Sequence, residues 1–193
     1  GVEALKPGFK EQAEILADSG VDLIILEAGA SEPEIIESAI ESTSKVNLPI
    51  WVSISCAIEK LTGRLMCGLQ ESIDRNSDVL LFEDFENVIS NLSRIHKGPI
   101  LVMHSDLKVS GEAVKKLRKN HTGVVGVYPN AGYWEKPAWK FEDQITPEVF
   151  QNEAKRWAFD GAQIIGGCCG VGPQLIQSLS MLWSDKFKSK RIK

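Results

Sequence analysis

The sequence predicts an α/β protein of the (β/α)₈ TIM-type barrel class, with six βα units carried by this chain. Short apolar runs alternate with amphipathic helical patterns along its whole length, as in a parallel sheet covered by crossover helices. The runs are rich in Val, Ile and Leu and lack the alternation of a half-exposed strand. Six strands fall two short of a closed barrel, so two further units are expected before Gly1, where the chain starts without a methionine.

Phe9 to Ser19 reads as a helix. Parallel strands are expected at Asp22–Leu26, Ile50–Ile54, Val79–Phe82, Ile100–Met103, Val124–Tyr128 and Ala162–Gly166. Between them, Ser31 and Glu34 fit a capping box, Thr146 before Pro147 fits an N-cap and first helical position, and Gly161 fits a helix stop. Leu65, Leu69 and Ile73 predict a helix stripe, as do Val88, Ile89, Leu92 and Ile95, and Phe150, Ala154 and Trp157. The longest irregular segment, Asn130 to Ile145, holds Trp134, Pro137, Trp139 and Phe141, and a loop that long and aromatic usually has a function. Residues 1–185 read as one domain; Lys186, Lys188, Lys190, Arg191 and Lys193 make a basic, solvated tail in 186–193.

With 43% apolar and 25% charged residues among 193, the composition is that of an ordinary globular domain. A net charge of −4 without a basic face gives no case for nucleic acid. No run approaches the ~20 apolar residues of a membrane span, and no secretory signal opens the chain, so a cytoplasmic protein without a membrane partner is expected. Cys56, Cys67, Cys168 and Cys169 form no spaced disulfide framework and should be reduced thiols.

In a βα barrel the reactive groups gather at the carboxyl ends of the strands. The polar residues at those places are Glu27; Ser53, Ser55 and Cys56; Glu83 and Asp84; His104, Ser105 and Asp106; Asn130; and Cys168 with Cys169. The sharpest motif is Gly166-Gly167-Cys168-Cys169-Gly170 after the last strand, where glycines let the backbone bend and both sulfurs turn to one centre. Zinc suits two such thiolates, at ~2.3 Å. The rival reading is a pair of small apolar side chains packed under a turn.

The segments IIGGCCGVGPQLI, VYPNAGYW, VDLIILEAGASEPEIIESA and PIWVSIS together resemble the homocysteine S-methyltransferase family over nearly the whole chain. The resemblance implies a (β/α)₈ barrel that holds zinc through three cysteines and methylates homocysteine to methionine. It implies Cys168 and Cys169 as zinc ligands, Glu27 as anchor of the homocysteine amino group, and Asn130 as a wall of the substrate pocket. The family's third cysteine is absent: the corresponding strand ends Val102-Met103-His104-Ser105-Asp106, and Ala28 stands where the family has threonine after the glutamate.

A serine hydroxyl is a poor zinc ligand and an imidazole nitrogen a good one, so His104 is the expected substitute, the alternative being a histidine that only hydrogen-bonds at a strand end. His96 and His121, near helix ends, are expected on the surface. Zinc would then act as a Lewis acid on the homocysteine thiol, and Trp134 and Trp139 either cover a cationic methyl donor or pack the loop. The competing class is a degenerate barrel that binds an amino-acid-like ligand without catalysis. The methyl donor and the oligomeric state are not readable from these residues.

Overall fold

The computed structural model describes residues 1–29, 31–69, 81–135, 138–141 and 145–188. Helix α1 (Lys6–Asp18), with Pro7 in its first turn, leads into β1 (Ile24–Gly29) and α2 (Pro33–Thr43). Pro33 takes the start of α2 with Glu32 as N-cap and no side-chain cap bond, in place of the capping box expected from Ser31 and Glu34. Proline's fixed φ suits the first turn and shifts the start by a residue.

β2 (Ile50–Ile58) is longer than its expected run, and that extension changes the topology. Its first half pairs in parallel with β1, while Cys56 to Ile58 pair antiparallel with β3 (Leu65–Gly68). β4 (Leu81–Asp84) then folds back antiparallel on β3. The strand expected as parallel at Val79–Phe82 is therefore, in its described part, the last arm of a meander; residues 79 and 80 lie outside the described residues. Leu65 belongs to β3, not to a helix, and Ile73 lies outside the described residues.

The chain continues through α3 (Phe85–Ile95), β5 (Ile100–Met103), α4 (Leu107–Asn120) and β6 (Val125–Tyr128). In the segment expected to be irregular, β7 (Tyr133–Glu135) and β8 (Ala138–Lys140) form a separate hairpin; Pro137 and the Trp134 and Trp139 side chains lie outside what is described. α5 (Pro147–Phe159), β9 (Ile164–Ile165) and α6 (Pro173–Lys188) complete it. Thr146 Oγ1 accepts from Val149 N–H at 3.3 Å, and Gly161 has φ +109°, as the cap and stop signals predict. α6 takes in Lys186 and Lys188 of the expected tail; Lys190, Arg191 and Lys193 lie outside the described residues.

Among the described residues five strands thus run in parallel in the order β1-β2-β5-β6-β9, one fewer than expected. One face is dry: Val52, Ile54, Ile100, Val102, Val125 and Val127 meet Ile36, Val88, Leu92, Val114, Leu117, Phe150 and Trp157 of the helices. Phe150 and Trp157 meet edge-on at 5.9 Å, whereas Ile95, counted to the same stripe as Val88 and Leu92, is 44% exposed. Among the described residues no strand pairs the outer edge of β1 or of β9. An apolar groove of about 400 Å³ lies along β1 between α1 and α2, and one of about 570 Å³ runs beside β9 and Trp183.

Candidate metal centre

Between the end of β5 at Met103 and the α4 cap at Asp106, whose Oδ1 accepts from Lys108 N–H at 2.8 Å, only two residues turn the chain. His104 makes that turn at φ 43°, the one non-glycine residue with positive φ among those described. A left-handed histidine costs ~1–2 kcal/mol, a strain that surrounding structure must hold in place. It is held by its N–H, which donates to Tyr128 O at 3.2 Å, and by Ser105 beyond it. Ser105 Oγ donates to Met103 O at 2.7 Å and accepts from Cys56 N–H at 2.9 Å, fully buried.

The loop after β6 fastens the cysteine pair to this turn. Asn130 N–H donates to Ser105 O at 3.0 Å, Cys168 N–H to Pro129 O at 2.9 Å, and Ala131 N–H to Cys169 O at 2.8 Å. Gly170 supplies the left-handed step at φ +78°, with the Phe141 ring packed where a side chain would otherwise stand. As a result Cys168 Sγ and Cys169 Sγ lie 3.8 Å apart, and His104 Nδ1 lies 3.6 Å from the first and 3.5 Å from the second. Both cysteines and the histidine are partly buried.

A tetrahedral zinc with thiolates at about 2.3 Å and an imidazole nitrogen at about 2.0–2.1 Å needs sulfur atoms roughly 3.8 Å apart and sulfur–nitrogen edges of roughly 3.5 Å. The triangle has those edges, so these residues fit the metal, with one tetrahedral position left over. The Cys168 thiol works against burial, yet hydrogen bonds to His104 and Cys169 and the imidazole's charge hold it below its ordinary value. Burial and the neighbouring Cys168 hold the Cys169 thiol above its own.

Of the residues singled out from sequence, Cys168, Cys169 and His104 meet here, while Ser105 is turned to Cys56. Glu27 stands opposite Ser53 in the β1–β2 register, with its Oε1 3.2 Å from the Tyr128 hydroxyl, and makes no bond to the cluster among the described residues. Asn130 is 7% exposed, and its Oδ1 has no partner among the described residues. Tyr128 was legible only as the last residue of a strand before Pro129 and had no expected role. Asp84 caps α3 and pairs with Arg64 at 2.9 Å, away from the cluster's bonds. His121, expected at the surface, is 2% exposed with its Nε2 3.0 Å from Gly98 O, and the His96 Nε2 is also buried. Both rings fold under the turns that lead into β5 and β6, where Gly98 and Gly123 leave room for them.

An α/β sheet that brings two thiols and an imidazole together at its strand ends defines a protein with a donor set that could hold a metal ion. The family follows from comparison. Residues 1–182 match the homocysteine S-methyltransferase family, and the chain belongs to it. It is 27% identical over 186 residues to homocysteine S-methyltransferase 1 of Zea mays, covering 93% of this chain and 52% of that protein. It is 25% identical to the selenocysteine methyltransferase of Astragalus bisulcatus over 95% of this chain and 51% of that one. The metallated form of the homocysteine methyltransferase MmuM from Escherichia coli superposes with a TM-score of 0.66 at 22% identity, over 94% of this chain and 52% of that one, a likeness of fold. The chain spans about half the length of the curated relatives it matches. Among the described residues no helix is long and apolar enough to cross a membrane.

Proposed function

We propose that this chain carries the metal half of a zinc-dependent homocysteine S-methyltransferase, with Cys168, Cys169 and His104 as the protein's ligands. The observation that supports this most is the triangle of 3.8, 3.6 and 3.5 Å among the three donor atoms, which has the edges of a tetrahedral zinc site. Bound zinc would supply Lewis acidity at the remaining position, where it lowers the pKa of an incoming thiol. Two thiolates and a neutral imidazole leave the metal with less negative charge than three thiolates would, which favours thiolate formation and tempers the sulfur's nucleophilicity.

The residues of the chain do the rest. Glu27 takes the substrate ammonium, and Asn130, with its buried and unmatched Oδ1, closes the pocket. Held in line, the homocysteine sulfur forms a bond to the donor's methyl carbon as the donor's own bond to it breaks; the thiol proton is released and the donor leaves with one methyl fewer. The fold reading belongs with this: residues 1–185 are the carboxy-terminal portion of a (β/α)₈ barrel, and strands along the outer edges of β1 and β9, over the two apolar grooves, would close it. The basic run of residues 186–193 begins within α6, and the protein works in the cytoplasm.

The test pairs metal analysis with methylation of homocysteine by a panel of sulfonium, betaine-type and folate donors. One zinc per chain, reduced about a hundredfold in affinity by His104→Ala, together with methionine formation is the expected result. Metal-free protein that binds homocysteine and transfers no methyl from any donor would establish instead the binding barrel without catalysis.

A further inference from the structure

Tyr128 ends β6, and two of its groups make separate contacts. Its backbone carbonyl accepts the N–H of His104, the residue whose ring meets the cysteine pair. Its hydroxyl lies 2.6 Å from Ser53 Oγ and 3.2 Å from Glu27 Oε1. Ser53 is itself fixed, with its Oγ 3.1 Å from Leu26 O and 3.3 Å from Met103 Sδ, fully buried. Glu27, by contrast, is exposed at the strand end and has no salt bridge among the described residues. A free carboxylate on a bulged strand end swings among rotamers; a phenol anchored by a buried serine stops it. The register shift between Glu27 and Gly29 makes such a brace more necessary, because the regular ladder is interrupted directly after Glu27 before Gly29 pairs with Ile54.

We propose that Tyr128 is the positioning residue that fixes the Glu27 carboxylate relative to the His104–Cys168–Cys169 cluster, and so selects thiols that carry an ammonium group. The inference rests on the proposed role of Glu27 and extends it: one residue ties the ammonium end of the site to the sulfur end. Burial and the Glu27 charge raise the Tyr128 pKa, so the phenol remains a donor at any pH where the enzyme works.

The experiment measures, by calorimetry on the zinc-loaded protein, the binding of homocysteine and of 4-mercaptobutanoate, the same molecule without its amino group. Wild type should bind homocysteine more tightly. Tyr128→Phe should weaken homocysteine by about tenfold, the scale of a lost hydrogen bond to a charged group, and leave 4-mercaptobutanoate and the zinc content unchanged. Equal weakening of both thiols, or of neither, would overturn the proposal and leave the Glu27 reading standing. If wild type does not distinguish the two thiols, Glu27 is no ammonium anchor, and both readings fall together.

Discussion

The chain holds two pairs of cysteines, and they differ in everything except the element. Cys56 and Cys67 face each other across β2 and β3, at most 1% exposed, in a position that only packing needs. Burial pushes the thiols of both up to about 12. Cys168 and Cys169 sit on a glycine-walled turn, partly exposed, with an imidazole 3.5–3.6 Å away. Burial acts against the thiolate at both places; only at the second does a neighbouring histidine oppose it. What suits a cysteine to the proposed ligand role is a nearby donor and an open side, not the thiol itself.

The contrast is broken most directly by alkylation. A thiol raised to about 12, against an ordinary 9.0, carries about a thousandth of the usual thiolate at neutral pH, before access is considered. In the native metal-free protein, iodoacetamide should therefore modify Cys168, whose thiol is held below its ordinary value, at least about a thousand times faster than Cys56 or Cys67, by peptide mass mapping over time. Added zinc should protect that thiol. Comparable labelling of all four in folded protein would mean that the two environments do not differ as the structure has them.

How much of this could be read from residues alone varies with the physics. β5 matches its expected residues end to end, and β6 does so to within a residue, because an unbroken run of Val, Ile and Leu flanked by turn formers has few other uses. The meander differs from the helix and parallel strand that its residues predict. Leucines four apart share a helix face, but four is also twice the strand period, so Leu65 and Leu69 do not discriminate between the two. The extension of β2 to Ile58 carries no boundary signal of its own, and it is decided by which strand is available to pair with it. The cysteine pair announced itself through its glycines. For the third ligand the sequence left His104 and Ser105 side by side; the left-handed turn that sends one to the pair and the other to Cys56 has no signature where the residue is not glycine. Tyr128 escaped because its partners, Ser53 and Glu27, are 75 and 101 residues away.

Ser105 sharpens the comparison by linking the two pairs. Its hydroxyl caps the backbone N–H of Cys56, while its neighbour His104 reaches Cys168 and Cys169. Ser105→Ala strips a buried N–H of its acceptor, which should cost about 1–3 kcal/mol in a denaturant titration with an unchanged slope, and leave zinc binding intact. Unchanged stability with lost metal would move Ser105 into the ligand set and His104 out of it.

The same division runs through the three histidines and yields the smallest effect. His104 stands just past the carboxyl end of β5, whereas His96 and His121 lie under the turns that lead into β5 and β6, where burial lowers the pKa of both; Arg118 and Lys97 lower that of His121 further. A histidine whose folded pKa is depressed binds its proton more readily in the unfolded chain. Its stabilising contribution is therefore complete above the ordinary histidine range, near 6.5, and drains away as the pH falls through that value toward the folded pKa. The thermal midpoint should drop by a few degrees between pH 7.5 and pH 5.5. His121→Gln should start lower, having lost the bond to Gly98 O, and show a shallower decline over the same interval. A decline of equal slope in that variant would assign the acid sensitivity to His96, the other buried histidine under these turns, and leave His121 as pH-indifferent packing.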